Sequence, residues 1–388
     1  MMRIDVARTL EDTVALVRID SQNPGPLEGA CARWVRERLD RAGVPVEEVA
    51  VADGRADLVA AVHGTGERPR LVLLAHMDTV PVGSGWTVDP LGGESRDGRI
   101  YGRGAADMKA GLAVAIGLLD ALARADAAPR GDVVVAATVD EEGPEMAGAH
   151  ALVGSGLLRA DDQVLALEPT GLRLRIAQVG LRWLELTVHG RMAHAGRAFL
   201  GIDANHVVAR IVDRLKTQVA ELRYEDELLG RPLFTCGRIE GGVATNVVPP
   251  SCTAQLDLRL VPPLTADDVV ALTREVADAT VAEFPGAAYE LRPLGAARPP
   301  VRAAEDAHVV RSLRAAFEAV TGRALESGGA DGHEAYTDAS MIAALTGSAS
   351  CTVFGPGSSD RAHVADEYVE IEDVEVASHV LERLVEQW

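Results

Sequence analysis

Apolar positions fall into one pattern up to about residue 170, a second pattern to about residue 292, and the first again to the end. Residues 5–20 and 28–42 carry apolar side chains at helical spacing; in the second, Trp34, Val35, Leu39 and Ala42 share a stripe and Gly43 is a stop signal. Residues 57–63 and 70–75 are short apolar runs joined by Gly64-Thr65-Gly66, which reads as a hairpin loop. A helix over 109–124 puts Leu112, Ala113, Ile116, Leu119 and Leu122 on its core side, and two further unbroken apolar runs follow at 132–139 and 163–167. Unbroken apolar strands alternating with helices predict an α/β domain whose parallel or mixed sheet is covered by helices on both faces.

Near residue 180 the period changes. Residues 183–188 begin to alternate, and 252–260 alternate strictly, with Cys252, Ala254, Leu256, Leu258 and Leu260 on one face and Thr253, Gln255, Asp257 and Arg259 on the other. That is a strand with one packed and one wet face. Helices are predicted over 203–221 and over 265–283, the latter capped by Thr265, and a last strand near 287–292. Strand, helix, two strands, helix, strand is the ferredoxin-like α+β order. Residues 177–292 are therefore expected to be an inserted domain between the two parts, 1–176 and 293–388, of the parent domain. In the second part Asp306 is read as the cap of a helix, another helix starts near Thr337, 350–354 is a strand, and a helix covers 372–387.

A chain of 388 residues suggests two or three domains, and the net charge of −20 excludes the basic surface that nucleic acid requires. No apolar run reaches the length of a membrane span and no leader segment is visible at the start. Cys31, Cys236, Cys252 and Cys351 are scattered and read as reduced thiols, which places the protein in the cytoplasm with no membrane partner.

The chemistry lies where the apolar strands stop. His76 and Asp78 follow the first, Asp140-Glu141-Glu142-Gly143 the second, Glu168 the third, and His363 the strand ending near Phe354; Asp107 opens the 109–124 helix. Open α/β sheets bind ligands past the carboxyl ends of their strands. Imidazoles and carboxylates together suit zinc and similar divalent ions. Two ions about 3.5–4 Å apart need a bridging carboxylate. His76, Asp107 and Glu168 are expected to hold one ion, and His363, Asp107 and Glu142 the other, with Asp78 accepting the second ring N–H of His76. Glu141, adjacent to Glu142 and pointing elsewhere, is the candidate general base. Trp86, in the Gly- and Pro-rich loop 79–100, could line a pocket or pin the loop, and pinning is the reading preferred here.

Seven segments in this order carry a resemblance: His-Met-Asp-Thr-Val-Pro (76–81), Gly-Arg-Gly-Ala-Ala-Asp-Met-Lys-Ala-Gly (102–111), Asp-Glu-Glu-Gly (140–143), Glu-Pro-Thr (168–170), Gly-Arg-Met-Ala-His-Ala-Gly (190–196), Gly-Gly-Val-Ala-Thr-Asn-Val-Val-Pro (241–249) and Gly-Pro-Gly through Ala-His-Val-Ala-Asp-Glu-Tyr-Val (355–369). Nearly end to end, the chain resembles the dinuclear-zinc family of aminoacylases, acetylornithine deacetylases, succinyl-diaminopimelate desuccinylases and glutamate carboxypeptidases. The resemblance implies the metal and base roles just drawn. It adds His194 as the residue that reaches a partner subunit's site and stabilises the oxyanion, and hence a homodimer through 177–292. It also adds Asn246 and Arg259 as holders of the substrate carboxylate. Part of the family has Asp where this chain has Glu168.

The expected function is hydrolysis of the amide bond of an N-acyl amino acid or dipeptide-like substrate by attack of a metal-bridging hydroxide. The ions are expected to be zinc, with cobalt and manganese as alternatives of similar ligand preference. A glutamate-carboxypeptidase-like exopeptidase, a free-amine aminopeptidase or dipeptidase, and a metal-binding protein without turnover are the rivals. Where the family has a short Gly-Gly-Thr-Asp-like turn, this chain has the longer loop 327–338, a candidate determinant of selectivity.

Overall fold

The computed structural model describes residues 2–24, 28–52, 54–328 and 336–388, so most of loop 327–338 lies outside the described residues. Helix α1 (Val6–Val17) starts at Asp5, whose carboxylate accepts the Arg8 N–H at 3.1 Å, and α2 (Glu28–Arg41) ends before Gly43, which takes the left-handed φ of 75° that ends a helix cheaply only in glycine. Strands β1 (Val46–Ala52), β2 (Arg55–Val62) and β3 (Leu71–His76) follow, then a small hairpin, β4 (Glu94–Arg96) and β5 (Arg99–Tyr101). Helix α3 (Ala110–Ala123), β6 (Val133–Thr138), α4 (Ala147–Gly154) and β7 (Gln163–Ala166) complete this stretch. Through β8 (Ala177–Gln178) the chain enters β9 (Gly180–His189), α5 (Ala204–Glu221), β10 (Leu233–Gly241), β11 (Ser251–Leu260), α6 (Ala266–Val281) and β12 (Ala288–Arg298). It returns through β13 (Val301–Arg302) to α7 (His308–Thr321), α8 (Asp338–Thr346), β14 (Cys351–Val353), β15 (Tyr368–Glu370) and α9 (Ile371–Gln387).

These elements form two compact units. The first comprises the described residues of Met1–Ala177, Arg302–Gly329 and Thr337–Trp388; the second comprises Gln178–Val301 and Tyr336. The first unit is built on a mixed sheet of order β1-β2-β6-β3-β7-β14. β6, β3, β7 and β14 run parallel, and β3 and β6 are buried along their whole length, as unbroken apolar runs require. Parallel strands end at the same edge, so the residues following β3, β6 and β7 emerge together.

The hairpin expected across Gly64-Thr65-Gly66 does not form. β6 lies between β2 and β3, antiparallel to the first and parallel to the second. The glycine turn instead runs along the approach to β6: Gly64 N–H donates to Asp132 at 2.8 Å and Thr65 N–H to the Pro129 carbonyl at 2.9 Å. Sequence neighbours separated by a short glycine turn mimic a hairpin, and only the partner chosen by each strand distinguishes the two. β1 escapes the pattern because it is an edge strand with two consecutive exposed glutamates, Glu47 and Glu48. Asp306 falls one residue short of the α7 N-cap, which is Ala307.

The second unit is an antiparallel sheet of order β10-β11-β9-β12 with α5 and α6 packed on it, the ferredoxin-like order. β11 alternates along its length, with Cys252, Ala254, Leu256, Leu258 and Leu260 buried against Val207, Val208 and Ile211 of α5. Each fully buried aliphatic side chain there contributes about 1.5–3 kcal/mol. α6 starts with a reciprocal capping box between Thr265 and Asp268. β12, expected near 287–292, runs on to Arg298; Pro293 and Gly295 interrupt its alternation, and its register shifts between Leu294 and Arg298. Among the described residues no helix is long and apolar enough to cross a membrane.

Candidate metal centre

His76 is the last residue of β3. Its ring Nδ1 lies 3.0 Å from the main-chain carbonyl of Asp78 and 3.6 Å from that residue's carboxylate. The carbonyl, rather than the expected carboxylate, therefore receives the ring N–H. Nδ1 is therefore the donor on this side, and Nε2 is left to face the carboxylates. Nε2 points at Asp107 Oδ1, 3.1 Å away, and at Glu168 Oε2, 3.8 Å away.

Asp107 lies in an irregular turn over 105–109 that precedes α3. Gly104 opens the turn at φ 82°, and a Cβ there would come within 2.6 Å of the Thr79 side chain. The turn is held from below by Glu367, whose Oε1 accepts the N–H groups of Ala106 and Asp107 at 3.0 and 3.1 Å and whose other oxygen pairs with the buried Arg103. Arg103 also spans to the Pro81 and Val82 carbonyls and stacks 5.3 Å over Trp86, whose indole N–H donates to Val82. Trp86 thus pins its loop. Glu367→Ala would leave the Arg103 charge buried without its partner. It should lower stability by about 3–5 kcal/mol. A urea unfolding curve checks this, and an unchanged midpoint contradicts it.

The two oxygens of Asp107 face different imidazoles. Oδ1 meets His76, and Oδ2 lies 3.3 Å from Nε2 of His363. His363 also meets Glu142 Oε1 at 3.0 Å. It adopts a left-handed φ of 63°, a region uncommon outside glycine but more open to histidine than to most side chains. Glu141 and Glu142 follow Asp140, itself left-handed at φ 65°. Their N–H groups both donate to the Asp78 carboxylate, at 3.2 and 3.1 Å. Adjacent side chains then diverge: Glu142 turns to His363, while the Glu141 carboxylate makes no hydrogen bond to another described residue.

Electrostatics follow from this crowding. Burial, reinforced by neighbouring carboxylates, pushes the Glu141 and Glu168 carboxyls well above the usual range, and burial raises Glu142. Burial opposes ionisation of Asp107 too, but hydrogen bonds from His363 and His76 win and hold it below its ordinary value. Hydrogen bonds to Asp107 and Glu142 push His363 up to about 10. Burial disfavours the His76 cation, yet Glu168, Asp107 and Glu141 outweigh it and raise that ring well above its usual value. Among the described residues, ligand atoms of His76, Asp107 and Glu142 all lie within 4.8 Å of one another. Two outward imidazole nitrogens amid four acidic side chains are the donor set that borderline divalent cations take, and the concentrated negative charge is what such a cation offsets.

His194, Asn246 and Arg259 belong to the second unit. His194 caps a short turn, its Nδ1 accepting the Gly196 N–H at 3.0 Å, and it bridges to Val247; the Asn246 carbonyl accepts the Ala195 N–H at 2.9 Å. These two residues are neighbours beyond the end of the sheet where Ser251 pairs with His189. Arg259 lies eight residues along β11, opposite Leu181, with its guanidinium forked onto Asp257 at 2.8 and 3.0 Å. Eight residues of strand span roughly 26 Å. Arg259 and Asn246 thus lie toward opposite ends of the β11 ladder.

The sequence reading passed over Asn23, Arg103 and the supporting role of Glu367. Asn23 lies in a polar stretch with no periodicity, and Glu367 lies four residues after His363 with only its segment, not its burial, visible in the sequence.

A family model described as peptidase family M20/M25/M40 matches residues 72–387. An acetylornithine deacetylase from Myxococcus xanthus is 33% identical over 362 residues, covering 91% of this chain and 90% of the relative. An N-acetyl-L-citrulline deacetylase from Xanthomonas campestris pv. campestris is 28% identical, with 98% of each chain covered. Among solved structures, a tripeptidase from Staphylococcus aureus superposes with a TM-score of 0.81 at 24% identity, covering 99% of this chain and 98% of that one.

Proposed function

Because the chain belongs to peptidase family M20/M25/M40, we propose that it hydrolyses the amide bond of N-acyl amino acids, with His76, Asp107, Glu142, Glu168 and His363 as the ligands of two divalent cations. The chain is a metal-dependent hydrolase of the class that takes N-acyl amino acids or dipeptides. The observation that carries the two-cation reading is Asp107, whose oxygens diverge to two imidazoles, 3.1 and 3.3 Å away. His76 and Glu168 flank one oxygen; His363 and Glu142 flank the other. Zinc is the ion assigned here from the mixed nitrogen and oxygen donors, with cobalt and manganese able to replace it.

When bound, the cations would acidify a water and polarise the scissile carbonyl. Glu141, free of competing hydrogen bonds, takes the proton from the attacking water and returns it to the nitrogen of the departing amino acid. His194 donates a hydrogen bond to the developing oxyanion.

The homodimer reading rests on His194, which resembles a histidine that reaches the partner subunit's site. Asn246 and Arg259 are read as the holders of the substrate carboxylate. Phe199, 81% exposed beside the His194 turn, with Met192 and Val243 also exposed, supports a partner surface there. The described cysteines are all free, in keeping with a cytoplasmic setting.

The test is a screen of N-acetyl and N-succinyl amino acids against free-amine dipeptides, reading released amino acid. The N-blocked substrates should be cleaved, activity should vanish on chelation, and zinc or cobalt should restore it. Cleavage confined to free-amine peptides would move the enzyme to the aminopeptidase or dipeptidase reading.

A further inference from the structure

The Glu141–Glu142 pair is held by a network that begins far away in sequence, in the segment before α2. Asn23 is 9% exposed. Its main chain is docked on the stretch after β3: the Asn23 N–H donates to the Thr79 carbonyl at 2.8 Å, and the Thr79 N–H to the Ser21 carbonyl at 3.0 Å. Its side-chain Nδ2 donates twice, to Asp78 Oδ2 at 2.9 Å and to Asp140 Oδ1 at 3.0 Å. Those two carboxylates are the clamps on either side of the glutamate pair. Asp78 takes the N–H groups of both glutamates. Asp140 fixes the far end of the loop by accepting the Ala147 N–H at 3.1 Å, and it receives Arg55 at 3.1 Å, which is itself forked onto the buried Glu28.

We propose that Asn23 is a positioning residue for the Glu141–Glu142 pair, acting by tying Asp78 to Asp140. The inference rests on the roles assigned above to Glu141 and Glu142. A neutral amide is suited to this place because it supplies two donors between two anions and adds no charge. An amide donor lost here removes the tie between the two clamps. A carboxylate placed here puts a third anion within hydrogen-bond distance of the other two, so the clamps are driven apart and the glutamate backbone moves with them.

That logic separates a positioning role from simple space filling. Asn23→Asp conserves volume, and Asn23→Ala does not. A packing role ranks the alanine variant worse; the positioning role ranks the aspartate variant worse. Both variants are compared with the native chain by zinc affinity, measured in competition with a chromophoric chelator, and by kcat and KM on the N-acyl amino acid turned over fastest. Partners that hold a metal ligand in place typically contribute 10–100-fold to affinity or activity. Asn23→Asp should therefore lower zinc affinity at the weaker of the two sites and kcat by about 100-fold, and Asn23→Ala by about 10-fold, with KM changed less than threefold in each. Zinc affinity and kcat within twofold of native in both variants, or a larger loss in the alanine variant, would overturn the proposal.

If Asn23→Asp does not fold, Asn23→Ser replaces it. One hydroxyl donor should recover part of the loss seen in Asn23→Ala, and equal losses in the two would overturn the proposal. Glu142→Ala runs alongside as a control. Undiminished zinc binding in that control would remove the ligand assignment itself, whereas a normal loss there with unaffected Asn23 variants rejects only the positioning role.

Discussion

Asp107→Ala should bind neither cation at concentrations that saturate the native chain and should show no measurable turnover. Asp107 is the one acidic side chain of the group held ionised by its neighbours, because both imidazoles hydrogen-bond to it. Each of its oxygens faces one of the two proposed sites, so a single truncation removes a ligand from both. Loss of either His76 or His363 removes a ligand from one site only, and those variants should retain the other cation. Asp107→Asn sharpens the comparison. Its shape is preserved but only one oxygen remains, so it should hold at most one cation per chain. Calorimetric titration with zinc, backed by elemental analysis of the dialysed protein, reads all four variants. Two tightly bound cations in Asp107→Ala would show that the carboxylate bridges nothing.

Glu141→Gln should keep both cations and lose turnover by about 10²–10⁴-fold, the usual contribution of a positioned acid–base group. The Glu141 side chain makes no hydrogen bond to another described residue, so its replacement breaks no structural tie. The backbone bond from residue 141 to Asp78 is kept by any amino acid except proline. The loss should therefore fall on kcat, with KM nearly unchanged, as for a group whose work is done only in the transition state. Steady-state kinetics over a range of substrate concentrations give both numbers. Native kcat in Glu141→Gln would remove the general base from the mechanism, and loss of cation binding would mean that Glu141 is a ligand.

The central sheet could be read from the sequence because its buried strands are continuous apolar runs, and the site because those runs end in charged side chains. A parallel sheet collects such ends at one edge, so the apolar runs alone bring His76, Glu142 and Glu168 together. Asp107 and His363 arrive through turns rather than strand ends. Three kinds of information were out of reach. Strand partners are a matter of contact at a distance, hence the false hairpin at Gly64. Main-chain acceptors leave no trace in side-chain identity, hence the Asp78 carbonyl in place of its carboxylate under His76. Supports such as Asn23 and Glu367 act from segments whose polar composition looks like solvent-exposed loop until burial is seen.

The most direct test of the account is the number of divalent cations bound per chain in the native protein. Purified protein, stripped with a chelator, titrated with zinc and dialysed, should carry two per chain by elemental analysis, and amidase activity should rise with occupancy. A stoichiometry of one or none at full activity would contradict the shared-carboxylate centre on which the function is built.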